Sequence, residues 1–423
     1  MFKNISETII TRFVNALISF IITIIISRRF GAEGTGTIGL IVLGITIIVL
    51  VNNFIGGSGL VYLIPRYGVY NLLITSYIWA LITSVPVSII LGISKLIPSG
   101  YTFHVFLLAF LFSLTSINQM IMLGKEKIKP YNIISMLQMI VLIISLMLFI
   151  KFYPQKGINA YIYALYCAYI FAFLFSSLYI KKIISFTSLA GVAKIIKETF
   201  KLGVIFQTAN LLQLLNYRLS YYLIDLYTGR GNLGVYNIGV QVSESVWNIP
   251  KSLSTIIYSK ISNSDDKNYS INLTLGFLKL SLAATSILLL IIIVIPKSFY
   301  VFIFSSDFIN VKQVMIWLSP GILAISGGMI LSHYFSGSGK AFHNTISSAI
   351  GVIFTILFCI LLIPEYGLSG AALAATLSYC ASTLYQIIIF CKTTKCNLIN
   401  LLPVTNDIKI IKKEIKKCFN KSN

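Results

Sequence analysis

Charge is scarce in this chain. Only 11% of its 423 residues are Asp, Glu, Lys or Arg, where soluble proteins carry roughly 25%. A soluble globular domain is thereby excluded. The three histidines, His104, His333 and His343, are scattered, and the six cysteines (Cys167, Cys359, Cys380, Cys391, Cys396, Cys418) form no CxxC pair. Neither a zinc site nor a disulfide framework is indicated. The chain has no GxxxxGK[ST] loop, and Gly337–Lys340 is too short to stand in for one. ATP drive within the chain is therefore not indicated, and no cofactor is expected.

What the chain has instead is length of apolar sequence. Hydrophobic residues make up 57% of it, and runs of about 20 recur from end to end, each enough to cross a hydrocarbon core of about 30 Å. The runs are continuous rather than alternating, which excludes a β-barrel. The expected fold is an all-α polytopic membrane protein. The first apolar run, Phe13 to Ser27, leads into Arg28, Arg29 and Phe30 and not into a small-x-small cleavage site. It reads as a retained first helix. A net charge of +21 would suggest nucleic acid in a soluble chain. Here the Lys and Arg residues fall mainly between spans, where they set topology and meet anionic lipid head groups, so no nucleic-acid partner is expected.

Hydropathy predicts twelve spans, near 9–27, 38–60, 72–93, 103–123, 131–150, 158–180, 203–226, 234–257, 272–295, 313–335, 344–363 and 368–391. The second, eighth and tenth are interrupted by Gly, Pro or polar residues. The loops on one side carry more than twice the Lys and Arg of the other, which puts both termini in the cytoplasm. The layout divides into an N-terminal six-helix bundle (1–180), a basic, partly amphipathic cytoplasmic linker (181–202), a C-terminal six-helix bundle (203–391) and a basic cytoplasmic tail (392–423).

The two halves echo each other. An offset of 198 carries Gly36 onto Gly234, Arg12 onto Asn210, Asn15 onto Gln213, Ser19 onto Tyr217 and Thr23 onto Tyr221. An offset of 210 carries Pro154-Gln-Lys-Gly157 onto Pro364-Glu-Tyr-Gly367. Six spans per half is an even number, so the repeats run parallel, related by a pseudo-two-fold axis along the membrane normal.

Polar stripes run along several spans. In Ile205–Leu226, wound at 3.6 residues per turn, Leu211, Leu212, Leu215, Leu219, Leu223 and Leu226 take one side. Gln207, Asn210, Gln213, Tyr217, Ser220 and Tyr221 take the other, with Arg218 and Asp225 at its margin. The first span carries Arg12, Asn15, Ser19 and Thr23, the second Thr46, Asn52 and Asn53, and the eighth Asn237, Gln241, Glu244, Asn248 and Lys251. Such groups are costly in lipid and should face protein or water. Two readings stand side by side: the stripes wall a hydrated cavity bounded by spans one, two, seven and eight, or they are packed dry against neighbouring helices. The candidate cavity residues are Arg12, Asn15, Asn53, Asn210, Gln213, Arg218, Gln241, Glu244 and Lys251, with Asp225 and Glu244 as candidates for ion coupling. Cations outnumber anions among these charges. An amphiphile with a phosphate or pyrophosphate head suits such a place. The dry alternative pairs Arg218 with Asp225 and Lys251 with Glu244, each seven residues apart.

Several short motifs carry a family resemblance. Arg28-Arg-Phe-Gly31-Ala-Glu-Gly-Thr-Gly36 resembles the R-x-x-G-x-x-x-x-G turn that closes the first helix of polysaccharide-biosynthesis flippases, the O-antigen or capsule repeat-unit translocases of the multidrug/oligosaccharidyl-lipid/polysaccharide exporter superfamily. Leu233-Gly-Val-Tyr236 is similar to the corresponding turn of the second half, and Pro364–Ala374 to the loop before the last helix. Thr37-Ile38 departs from the pattern, in which an aromatic follows the Gly. The resemblance implies a V-shaped pair of bundles around a central cationic cavity, in the bacterial inner membrane. It also implies alternating-access translocation of undecaprenyl-pyrophosphate-linked oligosaccharides. The implied partners are that lipid-linked oligosaccharide and membrane lipids, with a polysaccharide polymerase and chain-length machinery as further candidates. A cation-coupled multidrug exporter of the same superfamily would favour buried carboxylates in the first half, where the first span has none beyond Glu7. An integral membrane polymerase or glycosyltransferase would need a sizeable external loop or catalytic carboxylates, and only Asp307 and Glu365 stand out. The chain is not expected to be an enzyme. A periplasm-active reporter fused after Asn423 is expected to stay silent; a bright signal would reverse the assigned orientation.

Overall fold

A bilayer offers backbone N–H and C=O groups no water, so long apolar runs satisfy them internally by becoming helices. The computed structural model describes residues 2–57, 59–64, 67–184, 192–263 and 266–396. The elements are α1 (Phe2–Gly56), α2 (Gly59–Leu63), α3 (Val69–Ile93), α4 (Thr102–Gly124), α5 (Ile128–Phe152), α6 (Asn159–Lys181), α7 (Val192–Thr228), α8 (Arg230–Glu244), α9 (Asn248–Ser262), α10 (Lys267–Val294), α11 (Lys297–Phe304), α12 (Val311–Gly337) and α13 (Phe342–Thr394). Among the described residues there is no strand. The expected tail beyond Cys396, and residues 185–191 of the expected linker, lie outside the described residues.

Among the described residues, eight helical stretches are long and apolar enough to cross a membrane. Two of them are double. The 55 residues of α1 would reach about 80 Å if straight, far more than one hydrocarbon core. Gly31, at φ 64 and ψ −169, breaks α1 in two, and Gly367, at φ 53 and ψ −127, does the same for α13. A left-handed φ is open to glycine at little cost and strained for other residues. α7 falls outside the eight because its polar stripe dilutes the hydropathy, and α8 and α9 because each has only 15 residues. With them the chain has twelve helical spans, six in each half, and is a multi-pass membrane protein.

The duplication read from sequence reappears in the backbone. Gly31 and its partner at offset 198, Gly229 (φ 87, ψ 170), both turn the chain through a left-handed, extended step. Gly157 (φ 54, ψ −132) and its partner at offset 210, Gly367, match within a few degrees. The offset grows between the two pairs because the second half inserts α11 between α10 and α12, where the first half has only a turn between α3 and α4.

The eighth span is interrupted as its sequence suggests. A 3-10 turn, Ser245–Trp247, separates α8 from α9. Pro250 removes a helical N–H just beyond it, and Ser245 and Asn248 side chains bond to the Val242 and Ser245 carbonyls at 2.7 and 2.9 Å. The tenth span stays whole. Pro320 frees the Ile316 carbonyl, and the Ser319 hydroxyl donates to it at 2.7 Å.

The chain forms two compact units, Met1–Leu211 and Leu212–Asn423, so the boundary falls inside α7. The first unit has a core around Ile41, Ile48, Leu108, Ile162 and Leu165 and another around Leu60, Leu72, Ile117 and Ile121. The second unit is centred on Ile257, Phe277, Ile330, Leu331, Phe335 and Phe390. Several polar groups inside the first unit are bonded to one another. Asn52 Nδ2 donates to Ser84 and Ser113 at 2.9 and 2.7 Å, and Asn118 accepts from Tyr77 at 2.6 Å. The start of α7 is pressed onto α1: a Cβ on Gly203 would lie 1.7 Å from the Phe54 carbonyl oxygen. Gly203→Ala is therefore expected to cost about 1–3 kcal/mol through overpacking, read as a lower unfolding temperature in detergent. Gly231→Ala, which meets open space, serves as the control.

Candidate functional site

The polar side of α7 turns toward protein over part of its length, with Asn210 and Gln213 left exposed. Gln207, Asn216, Ser220 and Tyr221 are buried, whereas Leu226 on the opposite side is exposed. The membrane cost of a wet helix face is met by burying that face against its own unit.

At the middle of this face lies an ion pair. The Arg218 guanidinium donates through Nη1 and Nη2 to the two Glu244 oxygens at 2.7 and 2.6 Å. A bidentate fork of this kind is the strongest geometry the two groups have. The side chains keep 24% and 15% of their exposure, so one side of the pair is open. The guanidinium stacks 5.3 Å from the Tyr221 ring centroid. Tyr221 in turn donates to Asn237 Oδ1 at 3.1 Å, and Gln241 donates to the same oxygen at 3.1 Å. Tyr217 packs 5.3 Å from both Trp247 and Tyr379 and accepts from Gln213 at 3.1 Å. The Trp247 indole is anchored on the Ile322 carbonyl at 3.3 Å.

The charges pair across helices and not within one, as the awkward seven-residue spacing allows. Arg218 bonds Glu244 rather than Asp225. Asp225 bonds Arg230, at 2.5 and 2.8 Å across the Gly229 corner. Residues two turns apart on one helix do not meet, while partners on the next helix do. Asp225 thus staples a corner. Lys251 is left without a carboxylate among the described residues; it is exposed and lies 5.9 Å over Trp247.

The expected stripe residues divide into engaged and open groups. Asn15 donates to Ser135 Oγ on α5 at 2.9 Å, and Thr23 is buried and donates to its own Ser19 carbonyl at 2.9 Å. Those two follow the dry reading. Arg12 is exposed, and Asn53 is half-buried. In the second half Gln213 and Gln241 are exposed, as is Asn210, which donates to Gln207 at 3.1 Å.

Asn216 was not among the expected residues. Its Oδ1 accepts from Ser378 at 2.6 Å and Thr355 at 3.0 Å, and Ser378 also reaches the Gly351 carbonyl at 2.7 Å. This knot ties α7 to both arms of α13. Its signal was an Asn standing inside a leucine run, Leu214-Leu-Asn216. Replacing Asn216 by Leu leaves buried hydroxyls short of an acceptor, at a cost of about 1–3 kcal/mol. The expected readout is a lowered unfolding temperature without loss of membrane insertion.

No protein-family model matches the sequence, and no curated protein matches it. Solved structures do. A multidrug resistance MATE family transporter of the MOP superfamily, captured inward-facing, aligns at TM-score 0.73 and 15% identity, over 90% of this chain and 94% of that one. The lipid II flippase MurJ aligns at TM-score 0.66 and 15% identity, over 95% and 89%. A MOP superfamily transporter from Pyrococcus furiosus Vc1, described as having a binding pocket of reversed polarity, aligns at TM-score 0.62 and 14% identity, over 93% of each chain. The chain has the all-α, twelve-helix fold of these transporters, built as two six-helix units.

Proposed function

We propose that the chain is a transporter, not an enzyme: a flippase for undecaprenyl-pyrophosphate-linked oligosaccharide repeat units in surface polysaccharide biosynthesis. It works by alternating access in the bacterial inner membrane, with both termini and the 181–202 linker on the cytoplasmic side. The observation that carries this reading is the charge state of the α7–α9 face. Its two carboxylates are each committed to an arginine, while Lys251 is exposed over the Trp247 ring with no carboxylate on it among the described residues. An exposed cation without a carboxylate partner suits a phosphorylated ligand. Arg12, a candidate cavity cation of the first unit, is exposed as well.

A multidrug exporter is the second reading, favoured by the higher TM-score of the MATE structure. An exporter of cationic drugs needs an uncommitted carboxylate in its site, and Glu244 and Asp225 do not supply one. One experiment separates the two. Arg12→Gln and Lys251→Gln are expected to leave the protein in the membrane while reducing surface glycan by about tenfold or more each, with lipid-linked oligosaccharide accumulating inside. Undiminished glycan display with both replaced, together with drug sensitivity on deletion of the gene, would favour the exporter.

A further inference from the structure

The Arg218–Glu244 pair has no counterpart in the first unit. The offset of 198 that superposes the glycine corners sets Phe20 against Arg218 and Thr46 against Glu244. Phe20 is exposed, and the Thr46 hydroxyl turns back to its own Val42 carbonyl at 2.8 Å. A six-helix unit with the same corner therefore assembles with neither charge. A largely desolvated ion pair also adds little net stability over apolar side chains of similar volume. Structural need does not account for the pair.

Its surroundings suggest another role. The titratable groups that face Glu244 are Arg218, Tyr217 and Tyr221 on α7 and Tyr379 on α13. α12 meets this region through the Ile322 carbonyl, already taken by Trp247. Lys251, on α9, lies over the Trp247 ring. Arg218 is thus the one cation bonded to Glu244 among the described residues. If Arg218 turns to another anion, Glu244 is left as a lone carboxylate among tyrosines within the membrane, a state too costly to persist.

We propose that Glu244 holds the place of the substrate's anion and takes up a proton when that anion arrives. The inference rests on the lipid-linked glycan reading above. The two guanidinium N–H···O bonds to Glu244 break, and two form to phosphate oxygens of the pyrophosphate head. One proton from water joins a Glu244 oxygen, and the neutral carboxyl donates to a neighbouring tyrosine hydroxyl. No covalent bond of the substrate changes. The carboxylate charge lost to protonation offsets part of the charge brought in, and release of the head group reverses each step. Proton binding and substrate binding favour each other, so affinity rises as pH falls.

The test uses the purified full chain in detergent, with geranylgeranyl pyrophosphate as the probe. Calorimetry in two buffers of different ionisation enthalpy counts protons. The wild type is expected to take up about one proton per probe bound and to bind about tenfold more tightly for each unit of pH lowered between about pH 8 and 6. Glu244→Gln is expected to bind about tenfold tighter than wild type near pH 7.5, with no proton uptake, because Arg218 no longer has a competing carboxylate. Glu244→Asp keeps the proton uptake, and Arg218→Gln loses about tenfold or more in affinity. The neutral double replacement, Arg218→Gln with Glu244→Gln, should remain monodisperse, as the first unit's own packing foretells. Binding by the wild type without proton uptake, or equal affinity in all variants, would overturn the proposal and leave the substrate reading standing. No binding of the probe by the wild type would remove both.

Discussion

A polar group placed inside a membrane must find its partner in the protein, and this constraint orders the rest of the structure. It makes every long apolar run a helix. It also explains where the polar residues go. Asn52, Asn118 and Asn216 each gather hydroxyls from neighbouring helices, so that the amide becomes a fastening between spans rather than a defect. The same rule applies with more force to charge. Arg218 and Asp225, about two turns apart on α7, each recruit an opposite charge from α8, and the seam between these helices is drawn tight at two places.

The two ion pairs serve different ends. Asp225 and Arg230 flank a glycine corner, five residues apart in the chain, and close a local loop. Arg218 and Glu244 are 26 residues apart and join one span to the break in the middle of the next. A local staple needs only the turn that brings it together. A pair held across two spans, open on one side and ringed by aromatic rings, is positioned to exchange partners.

Much of this was legible in the sequence, and the rest failed for identifiable reasons. Span length and apolar run length are one-dimensional, so twelve spans and their approximate limits could be read directly. The corners could be read because glycine at Gly31, Gly157, Gly229 and Gly367 reports a backbone angle that other residues avoid. The shift between the two offsets was visible, while its cause, α11, was not, because eight residues beginning Lys297-Ser-Phe look like loop or helix equally well. The partners in the ion pairs stayed open because spacing along one helix says nothing of which neighbouring helix supplies the opposite charge. The wet or dry character of a stripe is also silent in one dimension: Asn15 and Gln213 occupy matching places, yet one bonds Ser135 and the other stays exposed.

The inserted helix α11 has a mechanical consequence. Phe299 and Phe302 stand exposed beside Lys297, and Tyr300 is tied to the Ile292 carbonyl at 2.7 Å, the build of a segment that rests at the boundary of acyl chains and head groups. The first unit spends only a turn at the matching place. The second unit therefore carries an amphipathic arm that the first lacks, and head groups and acyl chains are offered a grip on one half of the duplicated fold that the other half does not present.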